Sequence, residues 1–282
     1  MSKVVTSVSQ LKMDLNLKKV GAVFTMGALH EGHGRLMEVC RELIGADALL
    51  VVTIFVNPAQ FNDPNDLAKY PRSLEKDISL CESHGVDIVF APTVDEIYPK
   101  DFPVKQISPG VIANILEGES RPGHFAGVAT VVKRLLDITQ PTITCFGEKD
   151  FQQLAVVKQM VKEQSLAVEV IGVETVRETD GLAMSSRNSR LSKAERLIAP
   201  RLYEALQLVA SELLLGNTIE QSIMKAKDWL KTFPAIDLDY LTVLKSDLSN
   251  PAPGLARILI AARIGDVRLI DNLECELGVD NV

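Results

Sequence analysis

Val20-Gly21-Ala22-Val23-Phe24-Thr25-Met26-Gly27-Ala28-Leu29-His30-Glu31-Gly32-His33 is the stretch on which the reading of the fold turns. Residues 20–25 are mostly apolar and of the length of a buried strand. A glycine-bearing turn follows. Beyond it Leu36, Val39, Cys40, Leu43 and Ile44 fall at i, i+3, i+4, i+7 and i+8, the spacing of one helix face. Strand, glycine turn and helix together make the repeating half of a parallel α/β sheet.

The same alternation extends outward. Residues 48–56, 86–90, 142–146 and 168–173 read as further buried strands, and residues 74–84 and 150–164 as helices. Val128, Val131, Val132, Leu135 and Leu136 repeat the helical offsets of the first stretch. This pattern predicts a doubly wound, mostly parallel sheet covered on both faces, with ligands at the carboxyl ends of its strands. After residue 176 the pattern changes. A polar stretch (177–192) leads into one long amphipathic helix at 193–215, ended by Gly216, and a second at 218–231. Short strands at 239–244, 257–262 and 267–271 complete a smaller α+β domain. The expected division is 1–175 and 176–282, and the proline-rich stretches 92–109 and 250–253 are expected to be surface loops.

A net charge of −7 argues against a nucleic-acid or anionic-membrane partner, and an aromatic content of 5% leaves no stripe for stacking bases. The longest apolar run, 48–56, is interrupted by Thr53 and is far shorter than a membrane span. The first eight residues lack the apolar core of a signal peptide. Cys40, Cys81, Cys145 and Cys275 are widely spaced, without a metal-binding pattern, which is the expectation for reduced thiols in a cytoplasmic protein.

Four polar clusters sit at expected strand ends or at the domain joint. The first is His30-Glu31-Gly32-His33, where a helix N-terminus offers backbone N–H groups and a favourable dipole to an anion. The second, Gly147-Glu148-Lys149-Asp150, is followed by Gln153 about one turn into the next helix. The third, Met184-Ser185-Ser186-Arg187, combines hydroxyls with a cation suited to phosphate oxygens. The fourth offers the amides of Asn57 and Gln60, which donate to a carboxylate and accept from a hydroxyl, as a hydroxy acid requires. Each alone also fits an ordinary solvated turn; their common placement points to one ligand-binding edge.

His30-Glu31-Gly32-His33 resembles the His-x-Gly-His signature of nucleotidylyltransferases and class I aminoacyl-tRNA synthetases, and Met184-Ser185-Ser186-Arg187 resembles their second, Lys-Met-Ser-Lys-Ser-type signature. Within that superfamily the chain resembles the pantoate–β-alanine ligases. The resemblance runs through residues 25–33, 55–61, Tyr70-Pro71-Arg72, Ser120-Arg121-Pro122-Gly123-His124-Phe125, 146–153, 176–188 and Arg268-Leu269-Ile270-Asp271-Asn272.

The resemblance implies a Rossmann-like first domain, a smaller C-terminal lid domain and a homodimer. It implies a C–N ligase that joins (R)-pantoate to β-alanine through a pantoyl adenylate, releasing AMP and pyrophosphate. Met26, Gly27, Ala28, Leu29, His30, Glu31, Gly32 and His33 are then expected to hold ATP, His33 being the candidate proton donor or phosphate stabiliser. Gly147, Glu148, Lys149 and Asp150 also hold ATP, with Lys149 near the α-phosphate; Val176 lies by the adenine, and Met184, Ser185, Ser186 and Arg187 close on the triphosphate. His30, His33, Lys149, Ser185 and Arg187 are the catalytic candidates, and Gln60 and Gln153 hold pantoate, Gln60 also near β-alanine. Magnesium accompanies ATP, with Asp77 its candidate protein ligand and Glu75 the alternative. Two other readings share both signatures: an adenylyltransferase without ligation, which should lack the amide pair Gln60 and Gln153, and a non-catalytic ATP-binding module. The chain departs from the family in one place. Gly34 and Arg35 follow His33 where a bulky apolar residue is usual, and the glycine is expected to loosen the helix start.

Overall fold

The computed structural model describes residues 1–61, 67–68, 70–101 and 103–282. Two compact units emerge: one comprises Met1–Glu148 and Gln152–Glu174, the other Lys149–Phe151 and Thr175–Val282.

The first unit is built on six strands: β1 (Lys3–Val5), β2 (Val20–Thr25), β3 (Leu49–Ile54), β4 (Ile88–Phe90), β5 (Ile143–Gly147) and β6 (Glu169–Val173). Their order is β1-β4-β3-β2-β5-β6, and every neighbouring pair is parallel. Five longer helices accompany them: α1 (Val8–Leu15), α2 (Glu31–Ile44), α3 (Leu74–Ser83), α4 (His124–Thr139) and α5 (Phe151–Glu163). Successive strand residues point to opposite faces, so the sheet feeds two apolar clusters. Val51 and Phe90 pack with Leu11 of α1, Val128 of α4 and Met160 of α5. Leu50 and Val52 pack with Met37 of α2 and Cys81 of α3 on the other side. Burial on both faces explains why β2 and β3 are nearly continuous apolar runs.

From β2 the chain moves to β3 on one side, while β5 returns to the other. The reversal creates a crevice at the carboxyl ends of β2 and β5, where this topology binds ligands. The turn at Met26 and the end of β5 at Gly147 both open there.

The second unit pairs three antiparallel strands, β7 (Ile236–Lys245), β8 (Gly254–Ile264) and β9 (Val267–Leu277), with helices α6 (Lys193–Ile198), α7 (Arg201–Leu214) and α8 (Ile219–Leu230). Leu202, Leu206 and Val209 of α7 and Leu230 of α8 pack on Ile258, Ile260 and Ala262 of β8.

Two expectations are corrected, and a strand and a helix are added. The single helix at 193–215 is two, because Pro200 lacks the N–H that would continue the first and instead caps the second. The three C-terminal strands are 10, 11 and 11 residues long, well beyond the five- or six-residue apolar runs. Charged residues on their outer positions, such as Glu274 and Glu276, are paired in the ladder although the apolar pattern has stopped. β1 and α1 were not read at all: β1 is a three-residue edge strand, and α1 is announced only by its cap, Ser7, which accepts from the Gln10 N–H. In the 92–109 loop, Val94–Ile97 forms one helical turn, and Phe102 lies outside the described residues.

Candidate functional site

In the first unit the site begins at the turn after β2. The Thr25 hydroxyl donates to the Thr53 carbonyl (2.7 Å) and accepts from the Gly27 N–H (3.2 Å). Gly27 (φ +82°) and Ala28 (φ +52°) are both left-handed, a conformation that turns successive N–H groups toward one point. That point is occupied by Asp77 of α3, 2% exposed, whose two oxygens accept from Ala28 N–H (3.0 Å) and Leu29 N–H (2.8 Å). His30 then caps α2. Its Nδ1 accepts from the Gly32 N–H (3.2 Å), and His33 Nδ1 accepts from the His30 N–H (3.3 Å), a reciprocal capping box made of two imidazoles.

This geometry bears on two expectations. The backbone N–H groups of Gly27, Ala28, Leu29, His30 and Gly32 already serve protein acceptors, so they do not form an open anion cradle. The capacity to donate moves to the rings: with Nδ1 an acceptor in both histidines, each neutral ring carries its proton on Nε2. Each oxygen of Asp77, the candidate magnesium ligand, holds the turn by one hydrogen bond. No group of three His, Cys, Asp or Glu side chains among the described residues is arranged to hold a metal ion.

Gly34 does not simply loosen the helix. A Cβ there would lie 2.5 Å from His84 Nε2, so the glycine makes room for that ring. His84 in turn lies between Glu31 (3.3 Å) and Glu38 (3.2 Å) of α2, and braces the helix from the end of α3.

The turn after β3 also differs from expectation. Asn57 is 1% exposed, and its amide is committed within the fold. Nδ2 donates to Gln60 Oε1 (3.1 Å) and the Gly127 carbonyl (3.2 Å), while Oδ1 accepts from Ala59 N–H and the Tyr98 hydroxyl (2.8 Å). Burial pushes the Tyr98 hydroxyl up to about 12, so it stays a donor near neutral pH. The Asn57 amide therefore helps to hold Gln60 in place. Gln60 Nε2 reaches Met26 Sδ (3.0 Å), which joins this turn to the one after β2. The Gln60 carbonyl is held by His124 Nδ1 (2.9 Å) of α4. At β5, Gly147 and Glu148 are half-buried, and so is Gln153 on the first turn of α5. Its neighbour Gln152 is buried and structural: it donates to the Ile112 and Ile115 carbonyls (2.8 Å each).

The second unit carries Lys149, Asp150 and the loop after β6. Lys149 Nζ lies 3.8 Å from Asp150, a loose pair. Residues 176–184 form a hairpin: Met184 N–H donates to Val176 O (2.9 Å), Glu178 N–H to Leu182 O (2.8 Å), and Gly181 closes the turn. The next turn, Ser186–Arg190, is capped by Ser185, whose hydroxyl accepts from the Arg187 N–H (3.3 Å), and Asn188 donates to the Ala183 carbonyl (3.0 Å). The order of Met184, Ser185, Ser186 and Arg187 is thus set by local capping on a hairpin base.

Sequence reasoning missed the hold of Asp77 on the turn, and His84, His124, Tyr98 and Arg177. Arg121 and His124 lay within a segment that carried the resemblance, and that was their only signal. Burial, followed by the Asp77 charge, pushes the Cys81 thiol up to about 12, and burial pushes Cys275 up to about 11, so neither offers a thiolate near neutral pH. The groups the sequence singled out are donors and cations, suited to aligning reactants and offsetting negative charge.

The pantoate-β-alanine ligase family profile matches residues 1–274. A pantothenate synthetase of Nocardioides sp. is 48% identical over 269 residues, covering 93% of this chain and 80% of the relative. The crystal structure of pantothenate synthetase from Thermus thermophilus superposes with a TM-score of 0.89 at 43% identity, covering 96% of this chain and 98% of that one. Pantoate-β-alanine ligase from Francisella tularensis, solved in complex with β-γ ATP and β-alanine, gives 0.80 at 37% identity, with 97% of each chain covered. Agreement of profile, relatives and solved folds over nearly the full length establishes that this chain belongs to the pantoate–β-alanine ligase family, the pantothenate synthetases.

Proposed function

We propose that the chain joins (R)-pantoate to β-alanine with ATP as the driving substrate. The pantoate carboxylate attacks the α-phosphorus, giving pantoyl adenylate and pyrophosphate. The β-alanine amine then attacks the acyl carbon, and AMP leaves with pantothenate as the product. Neither step needs a covalent bond to the protein. The observation that carries this reading is the capped histidine pair at the switch point of the sheet, in a chain of this family.

His30 and His33 donate from Nε2 to ATP phosphate oxygens, and Lys149, Ser185, Ser186 and Arg187 supply the remaining donors and positive charge as pyrophosphate departs. Met26, Gly27, Ala28, Leu29, Glu31 and Gly32, with Gly147, Glu148 and Asp150, form the walls of the ATP site. Val176 and Met184 lie by the nucleotide. Gln60 and Gln153 hold pantoate through amides that donate and accept at once. Magnesium enters with ATP as its counterion. Family membership supports a homodimer, with residues 176–282 acting as the lid. Four unpaired cysteines, three of them buried, accord with a reducing, cytoplasmic setting.

The deciding experiment is exchange of labelled pyrophosphate into ATP. Pantoate alone should support it, and β-alanine should be needed only for AMP release. Exchange that depends on β-alanine would overturn the two-step order.

A further inference from the structure

Asp271 and Asn272 of β9 belong to a segment that carries the family resemblance but has no role in the reaction as described. Both are buried, 5% and 3% exposed. Asp271 takes both arms of the Arg177 guanidinium (2.6 and 3.0 Å). The same guanidinium donates to the carbonyls of Gly181 (3.1 Å) and Asn272 (3.1 Å), and lies 3.7 Å from the centre of the Tyr203 ring. Asn272 divides its amide. Nδ2 donates to the Lys149 carbonyl (3.0 Å), and Oδ1 accepts from Arg257 (3.1 Å), whose guanidinium lies over Phe151.

Apart from the Arg177 contacts with Tyr203 and the Asn272 carbonyl, these contacts reach two segments. One is Lys149 to Phe151. The other is the hairpin at 176–184, which leads directly into Ser185, Ser186 and Arg187. Side chains of successive strand residues leave on opposite faces, so an adjacent pair can reach two separate segments from one place on the sheet. Several of the acceptors are backbone carbonyls, so the knot sets where the main chain runs. Burying an aspartate with two arginines is not the cheapest way to stabilise a fold, since apolar packing commonly does as well. What such a network can supply is a defined geometry.

We propose that Asp271 and Asn272 are positioning residues for adenylation: through the Lys149 carbonyl and through Arg177 they hold the two ATP-contacting cationic segments in one fixed arrangement. This rests on the reading of Lys149 and of Ser185, Ser186 and Arg187 as ATP contacts.

The test is a double-mutant cycle on pantoate-dependent pyrophosphate exchange. Asn272→Asp keeps the volume and the acceptor toward Arg257, but replaces the donor to the Lys149 carbonyl with a negative oxygen. Its kcat/KM for ATP should fall about tenfold or more, alongside the drop in thermal midpoint that a buried carbonyl left without its donor brings. In a Lys149→Ala background the same substitution should lower exchange less than about twofold, because the side chain it positions is gone. Equal losses in both backgrounds would assign Asn272 a general structural role and overturn the proposal. Normal exchange by Lys149→Ala alone would instead remove the ATP reading of the lysine. An impaired Lys149→Ala beside a normal Asn272→Asp would sink only the positioning role. If Asn272→Asp does not fold, Asp271→Asn carries the same test in an Arg187→Ala background. If neither folds, the pair serves stability and the proposal fails.

Discussion

The turn after β2 and the hairpin at 176–184 both hold groups suited to phosphate, but they are held in opposite ways. The first is capped largely from within: Thr25, His30 and His33 satisfy N–H groups two or three residues away, and one distant carboxylate, Asp77, completes the set. The second closes its own hairpin but is fastened by partners far along the chain: Arg177 to Asp271, 94 residues apart, and to the Asn272 carbonyl, 95 apart. A turn satisfied locally leaves a short motif in the sequence. A segment fastened at long range leaves only isolated polar residues whose meaning depends on the fold.

The comparison is most exposed at Asp77, the distant carboxylate that holds two N–H groups of the first region. Asp77→Ala leaves two N–H groups without an acceptor in a turn that includes left-handed Ala28. Stability should fall by about 2–4 kcal/mol, as expected for losing buried hydrogen bonds to a charge. Urea unfolding measures it, and a loss under about 1 kcal/mol would mean that the turn holds itself and that the two regions differ more than drawn.

Gly34 sharpens the same side. In an open helix Gly→Ala stabilises by up to about 1 kcal/mol. Here the new methyl meets the His84 ring, so Gly34→Ala should destabilise by about 1 kcal/mol through overpacking. In a His84→Ala background the sign should reverse. The same sign in both backgrounds, read from thermal unfolding, would show that His84 does not brace α2.

The smallest effect belongs to the second region. Asp180, in the hairpin turn, pairs with Arg196 (2.5 Å), and that guanidinium holds its carboxyl below the usual range against the opposing effect of burial. A depressed folded value means a contribution fully present above the unfolded carboxyl range, near 4, and lost as pH falls through the folded value. Both side chains are more than a third exposed on average, so solvent screening leaves well under about 1 kcal/mol. The stability gap between the wild type and Asp180→Asn should be small at pH 7, shrink in salt and close on strong acidification. A gap that persists in acid would point instead to the hydrogen bond from the Leu182 N–H to Asp180.

Much of the first unit was legible because its signals are local. The apolar runs of β2 and β3, the helical spacing of α2 and the strand-glycine-helix order each span a few residues, and the His30–His33 signature lies in the same stretch. Pro200 was equally local, and the break it imposes was available to be read. What the sequence alone could not decide was which polar groups face a ligand and which face the protein. Asn57 and Asp77 carry the chemistry of binding residues, yet folding commits one to Gln60, Gly127, Ala59 and Tyr98 and the other to the backbone of residues 28 and 29. The physical reason is that helix and strand patterns arise from neighbours within a turn or two, whereas the partner of a buried polar side chain is whichever donor or acceptor the tertiary fold brings within about 3 Å.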